Sequence, residues 1–526
     1  MKYSIFGECG WLFPDSALDG TDMAELHLPR AGHVGFQVLG EEYGEGEEWC
    51  RASFIWEKSC AVRVELYELT AVGVGENTAP GTMTTLDYES CRSYVTRKAP
   101  FQVYDALCPY RGELTGRRPA LYVRLEADRD AGPGVYQGKL CLQTKKEKTE
   151  LPVRCRVYRA AVPEIGEARL GMMNFLSYGN IASQHGVKKG EEEYWQLFRR
   201  YVRAQLSMRC THIQLPAGEA VYENGRLAGF DFSMAERAGR IAVEEGAPYL
   251  CGGHVAHWKE WTQSEYYPNW DRETGISTLE GYLQLKRYFS GWAEVIRRNG
   301  WEGRMTQSLA DEPQIHNAAA YRILAGICRK FLPGVPVLDA VETTELGGGI
   351  DVWVPKLETY EKNREAYNVL KRAGESMWFY TCAFPGGNSM NRSMDLPLCT
   401  SRVLLWMAAG YRFDGYLHWG FNFFTGKDLW KDACCPRANG MLPAGDAHIV
   451  YPGEDGPLPS MRYEMQRAGA QDYELLMQLA EILPEEADAL MGAVCTNYRT
   501  YTADGAVLLA CRKKLLERLD FLTAGK

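Results

Sequence analysis

The sequence predicts a multidomain protein of the α/β plus β class, with an N-terminal antiparallel β-sandwich, a (β/α)8 TIM-like barrel and C-terminal helices. Its 526 residues are too many for one compact domain. Short runs of alternating apolar and polar residues fill the first third of the chain, a pattern typical of sandwich strands. After residue 165, short apolar strands alternate with long amphipathic helices, as in parallel βα units. We expect domains at 1–165, 166–484 and 485–526, the last being a helical extension packed on the barrel.

The predicted sandwich strands are short and are separated by turn residues. Residues 34–39, 61–67 and 121–125 alternate with a period of two, and 134–142 and 151–158 follow after a Gly-Pro-Gly turn. This spacing predicts antiparallel strands joined by hairpins or short loops. We expect this accessory domain to carry no catalytic residue.

Eight strands are predicted in the barrel, and most are followed by a helix. The strands are predicted over 171–175, 212–215, 248–253, 304–310, 335–340, 351–354, 377–382 and 415–419. The helices are predicted over 191–208, 233–245, 279–298, 316–331, 359–372 and 396–409, with a poor or missing helix after the fifth strand. Eight alternations fit a closed barrel better than an open sheet. No Gly-x-Gly-x-x-Gly or Walker loop follows the first strand, which argues against a nucleotide site.

Composition and charge exclude several classes of partner. The net charge is -9, and no basic run interleaved with aromatic residues occurs, which argues against nucleic acid and anionic lipid. No window holds 18 uninterrupted apolar residues, so no membrane span is predicted. The N-terminus lacks the apolar core of a signal peptide, so we expect a cytoplasmic location. Homo-oligomerisation is left open.

Cysteines and histidines do not form a metal-binding pattern. The 16 cysteines are irregularly spaced and contain no Cys-x-x-Cys, so we interpret them mostly as buried thiols. His254 and His257 form a His-x-x-His pair, but no third or fourth ligand is evident. We therefore predict no metal and no cofactor, and expect His254 to contact substrate instead.

An Asp-Glu-Pro segment follows the fourth predicted strand. Asp311 and Glu312 stand where that strand ends and the next helix begins. In a parallel α/β protein this end of the strands forms the ligand-binding face. The alternative is a helix start, because an acidic N-cap with Pro313 in the first turn is a common pattern.

Polar and aromatic residues gather at the predicted strand ends. They are Asn174, Tyr178, Gln214, His254, Asp311, Glu312, Trp353, Tyr380, Trp419 and Asn422. Aromatic rings, amides and carboxylates together suit a sugar, which offers apolar CH faces and directed hydroxyl groups. Any one of these aromatic residues taken alone is better explained as part of the core than as a ligand contact, so only their convergence favours a sugar site.

The carboxylates do not follow the usual glycosidase arrangement. Retaining glycosidases generally place two carboxyl groups about 5 Å apart, while substrate-assisted enzymes are an exception. The seventh predicted strand ends without a carboxylate, where many barrel glycosidases carry their nucleophile. Adjacent Asp311 and Glu312 could instead serve a substrate whose own 2-acetamido oxygen is the nucleophile. Since successive strand residues point to opposite faces, this requires a kink over 310–313.

The Ala310-Asp311-Glu312-Pro313 segment and a long tail motif resemble glycoside hydrolase family 123. The tail, over 449–474, is I-V-Y-P-G-x-x-G-P-x-P-S-x-R-x-E-x-x-R-x-G-x-x-D-Y-E. The resemblance covers the whole chain, because that family carries an N-terminal β-sandwich ahead of a (β/α)8 barrel. Its members are β-N-acetylgalactosaminidases.

The resemblance implies an exo-acting retaining glycosidase that releases terminal β-linked N-acetylgalactosamine from glycans or glycolipids through an oxazoline. Asp311 would orient the acetamido group, while Glu312 would protonate the leaving oxygen and then activate water. We predict that Tyr380 bonds the acetamido carbonyl and that Trp353 or Trp419 walls the sugar. Asn174, His254 and Asn422 complete the predicted substrate-binding set.

Two alternatives stay open at this point. One is a hydrolase of another β-N-acetylhexosaminide such as β-GlcNAc, because residue types alone do not distinguish the sugars. The other is a non-catalytic carbohydrate-binding protein on the same barrel. Within the tail, charged residues at helical spacing also fit salt bridges, whereas Tyr451 and Arg462 are predicted to reach the rim of the pocket.

Overall fold

The computed structural model describes residues 1–44, 49–114, 116–424 and 428–524. The chain divides into two compact units. Unit 1 comprises Met1–Ala168, Ala383–Arg412 and Asn422–Lys526, and unit 2 comprises Arg169–Cys382 and Phe413–Phe421. Unit 1 thus takes in residues 166–168, 383–412 and 422–484 of the predicted 166–484 domain. The three-domain division itself stays a prediction.

The first part of unit 1 is built from two larger β-sheets and a two-stranded antiparallel sheet. Its strands are β1 Tyr3–Gly7, β2 Ala24–Arg30, β3 His33–Gly40, β4 Arg51–Trp56, β5 Val62–Val74, β6 Asn77–Thr78, β7 Thr84–Thr85, β8 Phe101–Pro109, β9 Ala120–Ala127, β10 Gly134–Gln143 and β11 Lys148–Ala161. One sheet has the order β1-β3-β9-β5-β8 and is antiparallel throughout. The other larger sheet has the order β2-β11-β10-β4, in which only the β2–β11 pair is parallel. The two-stranded sheet pairs β6 with β7.

Residues from both sheets share one hydrophobic core. The core includes alternate residues of β3 and β9 together with alternate residues of β10 and β11, namely Val34, Phe36, Val38, Leu121, Val123, Leu125, Leu140, Leu142, Val153, Cys155 and Val157. Successive side chains of a strand point to opposite faces, so every second residue reaches this core. The alternation in the sequence therefore predicted the buried face correctly.

Unit 2 alternates parallel strands with helices. Its strands are β12 Gly171–Asn174, β13 His212–Gln214, β14 Glu219–Glu223, β15 Arg226–Asp231, β16 Tyr249–Gly252, β17 Ala256–His257, β18 Tyr267–Pro268, β19 Met305–Gln307, β20 Leu338–Val341, β21 Val352–Pro355, β22 Ser376–Thr381 and β23 Gly415–His418. Its helices are α1 Tyr178–His185, α2 Glu192–Ser207, α3 Ser233–Glu244, α4 Leu279–Arg298, α5 Ala318–Phe331, α6 Leu357–Lys362 and α7 Arg364–Arg372.

All eight predicted strands of this region are present and parallel. They form a five-stranded sheet, β12-β23-β22-β21-β20, and a three-stranded sheet, β13-β16-β19. Between the sheets, Gln307 and Val337 form a single parallel bridge, and the amide of Thr211 donates to the carbonyl of Met172 at 2.9 Å. As predicted, no helix separates β20 from β21 in this part of the described chain. The β14–β15 and β17–β18 hairpins and α1 were not predicted.

The rest of unit 1 is mainly helical. It contains α8 Thr400–Tyr411, β24 Cys435–Arg437, β25 Gly440–Leu442, β26 Val450–Gly453, β27 Gly456–Pro459, α9 Met461–Ile482, α10 Pro484–Val494, β28 Cys495–Asn497, β29 Thr500–Tyr501 and α11 Gly505–Thr523. The predicted irregular region 422–459 therefore includes two hairpins, β24–β25 and β26–β27; its residues 425–427, like the final residues 525–526, lie outside the described residues. None of the helices described is both long and apolar enough to cross a membrane.

The tail motif forms the β26–β27 hairpin and the start of α9, and the charged residues that the motif specifies on α9 are buried. Arg462 donates to Asp105 on β8 at 2.8 Å, and the Tyr451 hydroxyl donates to the same carboxylate at 2.5 Å. Both side chains are fully buried. The prediction that they reach a pocket rim was wrong, because both are needed to satisfy the Asp105 charge inside unit 1.

Candidate active site

The Asp-Glu segment lies on a kinked turn after β19. Glu312 has φ +47°, in the left-handed region that residues other than glycine seldom adopt. The kink predicted over 310–313 is therefore present. Helix α5 begins only at Ala318, preceded by Asn317, and its first turn contains no acidic residue. The helix-cap interpretation of Asp311 and Glu312 was wrong, since both stand outside the helix.

Asp339 on β20 holds the backbone of this turn. Its Oδ2 accepts hydrogen bonds from the amides of Leu309 at 2.8 Å and Ala310 at 3.3 Å, and from the Tyr321 hydroxyl at 2.6 Å. Asp339 is 1% exposed. Three donors on one buried carboxylate oxygen fix the chain immediately before Asp311. Sequence reasoning missed Asp339, although an aspartate inside the apolar strand V-P-V-L-D-A-V is a feature that needs explanation.

His254 stands next to the other oxygen of Asp339. The distance from His254 Nε2 to Asp339 Oδ1 is 3.3 Å, and the His254 ring packs edge-on against Phe175. Burial acts to lower the pKa of His254, but Asp339 and, more weakly, Asp311 raise it above its usual value. The predicted contact residue His254 is thus placed beside the carboxylates and carries more positive charge near pH 7 than an ordinary histidine.

A hydrogen-bonded chain of side chains extends from Glu312. The Tyr380 hydroxyl lies within hydrogen-bonding distance of Glu312 Oε1 and of Glu342 Oε1, the latter at 2.9 Å. Lys356 Nζ donates to the same Glu342 oxygen at 2.6 Å, and the Thr359 hydroxyl donates to Glu342 Oε2 at 2.5 Å. Glu342 therefore has a cation and a second hydroxyl as partners in addition to the phenol that it shares with Glu312.

Both acidic residues of the turn hold their protons more tightly than usual. Burial, followed by the negative charge of Asp311, raises the pKa of Glu312 to about 7, against the opposing Tyr380 hydrogen bond. The pKa of Asp311 is also raised, by burial and then by the Asp339 and Glu342 charges, with His254 opposing the shift. Although these groups surround its carboxyl group, Asp311 as a whole residue keeps an exposed surface. A carboxyl group with a pKa near 7 is suited to general acid and base catalysis.

The other predicted contact residues are not all part of this cluster. Trp353 is 1% exposed, and its indole N–H donates to Glu375 at 3.1 Å, so the structure does not bring it to Glu312. Asn174 is buried, and its amide donates to Cys210 Sγ at 3.7 Å. Trp419 is half-buried beside the ring of His418, after β23. Asn422 belongs to unit 1, where it is buried and bridges to His448.

Sequence reasoning also missed two tryptophans in the loop between β17 and β18. The indole N–H of Trp258 donates to the backbone carbonyl of Asp311 at 3.2 Å. Trp261 packs edge-on against Trp258, with ring centroids 5.2 Å apart, and is 46% exposed. Loop residues lack the periodicity on which the strand predictions relied, so only the unusual density of tryptophan could have identified them.

Within the described residues, no group of three or more His, Cys, Asp or Glu side chains is placed to hold a metal ion. The clustered groups instead consist of four carboxylates, a phenol, a lysine and a histidine. Such a set can give and take protons and can stabilise a positively charged intermediate.

Comparison with known proteins gives a match to one family model and matches to solved structures. Residues 254–479 match the family model described as "Glycoside hydrolase 123, catalytic domain". A family 123 glycoside hydrolase from Clostridium perfringens, solved to explain glycolipid glycan hydrolysis, aligns over 100% of both chains with TM-score 0.77 and 12% identity. A β-glucuronidase from Parabacteroides merdae aligns with TM-score 0.34 and 13% identity, covering 83% of this chain and 50% of that one. The comparison with curated protein sequences gave no significant match.

Proposed function

We propose that this chain, whose residues 254–479 match the catalytic-domain model of glycoside hydrolase family 123, is an exo-acting β-N-acetylgalactosaminidase of that family. The proposed reaction releases terminal β-linked N-acetylgalactosamine with retention of configuration, using the acetamido group of the substrate as nucleophile. The proposed substrates are glycans or glycolipids, the latter by similarity to the Clostridium perfringens enzyme, whose structure was described for glycolipid glycan hydrolysis. We also infer that the eight parallel strands close into the barrel that the sequence predicts.

One observation carries the proposal: Glu312, with a pKa of about 7, directly follows Asp311 on a kinked turn. A group with this pKa is protonated in a large fraction of molecules at neutral pH and can still lose its proton. A single carboxyl group can therefore act first as an acid and then as a base. Asp311 is adjacent to Glu312 in the chain, so it can act on the acetamido group while Glu312 acts on the glycosidic oxygen next to it.

The first step forms an oxazoline. The acetamido carbonyl oxygen attacks the anomeric carbon while the bond from that carbon to the leaving oxygen breaks, and Glu312 gives its proton to that oxygen. Asp311, as an anion, accepts the N–H of the acetamido group and stabilises the positive charge that develops on the ring. His254 favours this anion, because its positive charge lowers the pKa of Asp311.

The second step restores the enzyme. Glu312, now a carboxylate, takes a proton from water, and the hydroxide oxygen bonds to the anomeric carbon as the carbon–oxygen bond of the oxazoline breaks. Two inversions at the same carbon give net retention. Tyr380 orients Glu312 through its hydroxyl; its predicted bond to the acetamido carbonyl would follow when substrate displaces one of its present partners.

Hydrolysis of three aryl glycosides tests the proposal. We expect the protein to cleave 4-nitrophenyl β-N-acetylgalactosaminide and to leave the β-galactoside intact, because only the former carries the nucleophile. An N-acetylated thiazoline, which mimics the oxazoline, should inhibit. Faster cleavage of the β-N-acetylglucosaminide would mean that the enzyme prefers N-acetylglucosamine, with the proposed mechanism unchanged. Cleavage of the β-galactoside would overturn substrate assistance and make Glu342 the first candidate nucleophile.

A further inference from the structure

We propose that Trp258 and Trp261 form a binding platform for the sugar on the leaving-group side of the scissile bond. This inference rests on the proposed function, which places Glu312 at the leaving oxygen. The two residues are called the tryptophan platform below. It is a binding site for a second hexose of the substrate, separate from the site of the terminal sugar.

The platform is attached directly to the catalytic turn. The Trp258 indole N–H donates to the carbonyl of Asp311, the residue before Glu312. Trp258 is half-buried, so one part of the ring packs on protein and another part is open. Trp258 therefore contacts the residue adjacent in the chain to the group proposed to protonate the leaving oxygen.

Trp261 extends the platform outward. It is 46% exposed, and its ring stands at 90° to that of Trp258 at a centroid distance of 5.2 Å. An exposed tryptophan leaves a large apolar area in water, which is unfavourable unless a ligand covers it. Because the two rings stand at a right angle, a flat apolar ligand surface can pack on the face of one ring and against the edge of the other.

The loop around the platform is braced. The amide of Lys259 donates to Gln263 Oε1 at 2.8 Å, and Gln263 Nε2 donates to the Tyr267 hydroxyl at 3.1 Å. Lys259 Nζ also lies 4.2 Å from the centroid of the Tyr267 ring. These contacts hold the loop in shape, so Trp261 is presented to solvent by a structured segment.

The chemistry of the platform fits a sugar ring. Hexoses present patches of CH groups that pack on aromatic faces, while their hydroxyl groups stay in water or bond nearby polar groups. The terminal sugar belongs near Tyr380 and His254, which are more enclosed than Trp261. The exposed platform therefore suits the next sugar along the chain.

The test compares two substrates that differ only on the leaving-group side. One is methyl β-N-acetylgalactosaminide, and the other is a soluble oligosaccharide in which the same terminal sugar is linked to a further hexose. For Trp261→Ala we expect kcat/KM on the oligosaccharide to fall about tenfold, and kcat/KM on the methyl glycoside to stay within about twofold. Trp261→Phe, which keeps a ring, should recover most of the loss.

A second exposed aromatic residue of unit 2 gives the matched control. Tyr222 is 52% exposed on β14, so Tyr222→Ala removes a similar surface elsewhere and should change neither rate. Equal loss on both substrates, or no loss on the oligosaccharide, would overturn the platform. Loss confined to a glycolipid in phosphatidylcholine vesicles would also overturn it, because Trp261 would then be contacting a lipid surface.

A binding measurement separates the platform from the proposed chemistry. If the wild-type protein hydrolyses neither substrate, the proposed reaction is wrong. Calorimetric titration with the uncleaved oligosaccharide then still tests whether the tryptophan platform binds a sugar. Weaker binding by Trp261→Ala than by wild type, by about tenfold, would support it. Equal binding by the two proteins would discard it.

Discussion

The chain buries charged groups in two regions, and the two regions differ in how their charges are balanced. In unit 1, Asp472 on α9 accepts from Arg402 at 2.7 Å and from Arg512 at 2.8 Å, and the Trp406 indole N–H adds a bond at 2.9 Å. Arg402 also bonds Glu8 at 2.7 Å. Each carboxylate of this group therefore faces at least one guanidinium.

In unit 2 the carboxylates outnumber their cations. Two cationic side chains, Lys356 and His254, lie among four carboxylates: Asp311, Glu312, Asp339 and Glu342. Lys356 bonds Glu342, and His254 lies next to Asp339. Burial raises the pKa of a carboxyl group in both regions. Two arginines overcome that effect and lower the pKa of Asp472, whereas the like charge of Asp311 adds to it and raises the pKa of Glu312 to about 7.

The comparison separates charges that hold the fold from charges positioned for chemistry. A buried carboxylate whose pKa is lowered stays ionised and acts as a permanent partner. A buried carboxyl group whose pKa is raised to near 7 gains and loses its proton near neutral pH. Substitutions in the two regions should therefore change different measurements.

Glu312→Gln should have the largest effect. Removing the proton donor and acceptor should lower kcat by about 10²- to 10⁴-fold for a poor leaving group. The neutral amide occupies the same space, so the melting temperature should stay close to that of wild type. Retention of full turnover by this variant would remove Glu312 from the acid/base role. Glu345→Gln, which changes a glutamate outside the cluster on the same stretch of chain, is the control.

Asp472→Asn should act on stability alone. Loss of the charge removes the carboxylate that Arg512 bonds and leaves Arg402 with Glu8 alone, which should lower the free energy of unfolding by about 3–5 kcal/mol. Chemical denaturation measures this, and kcat of the folded fraction should be unchanged. Glu454→Gln is the control, because the Glu454 side chain is 78% exposed and its pair with Arg111 should contribute less than about 1 kcal/mol. Equal losses in the two variants would contradict the comparison.

The sequence predicted the strands of unit 2 and the acidic turn because both depend on local patterns. Each of the eight apolar runs, like the Asp-Glu kink, is encoded by a few consecutive residues. The sequence did not predict that Tyr451 and Arg462 bind Asp105, since that pairing joins residues 346 and 357 positions apart. It also missed Asp339, whose partners on α5 and on the turn before Asp311 are set by tertiary packing.

The outward-facing residues of the strands were the hardest to assign. Trp353 was expected to wall a sugar, but its neighbours Val352 and Val354 face the inner cluster of unit 2 with Trp378 and Tyr380. Period two then sends Trp353 to the other face, where it meets Glu375 and Tyr367. If Val352 and Val354 had been assigned to the inner face, the strand period of two would have placed Trp353 on the other face without a structure.

The pH dependence of the wild-type protein tests the same charge imbalance. Glu312 must be protonated to act as the acid, and its pKa of about 7 lies above the usual range for a glutamate. Activity should therefore be present below about pH 7 and should fall about tenfold per pH unit above it. A kcat/KM profile on the methyl glycoside measures this. A plateau that continues to pH 9 would mean that Glu312 is not the titrating acid.

Two substitutions should move that alkaline limb in opposite directions. Glu342→Gln removes a negative charge that raises the pKa of Glu312 and leaves Lys356 to lower it, so the limb should move to lower pH. Tyr380→Phe removes a hydrogen bond that lowers the same pKa, so the limb should move to higher pH. Each shift should be smaller than about one pH unit, because other contacts remain. Shifts of the same sign would show that the two residues act on turnover through packing, since only their electrostatic effects on Glu312 are opposed.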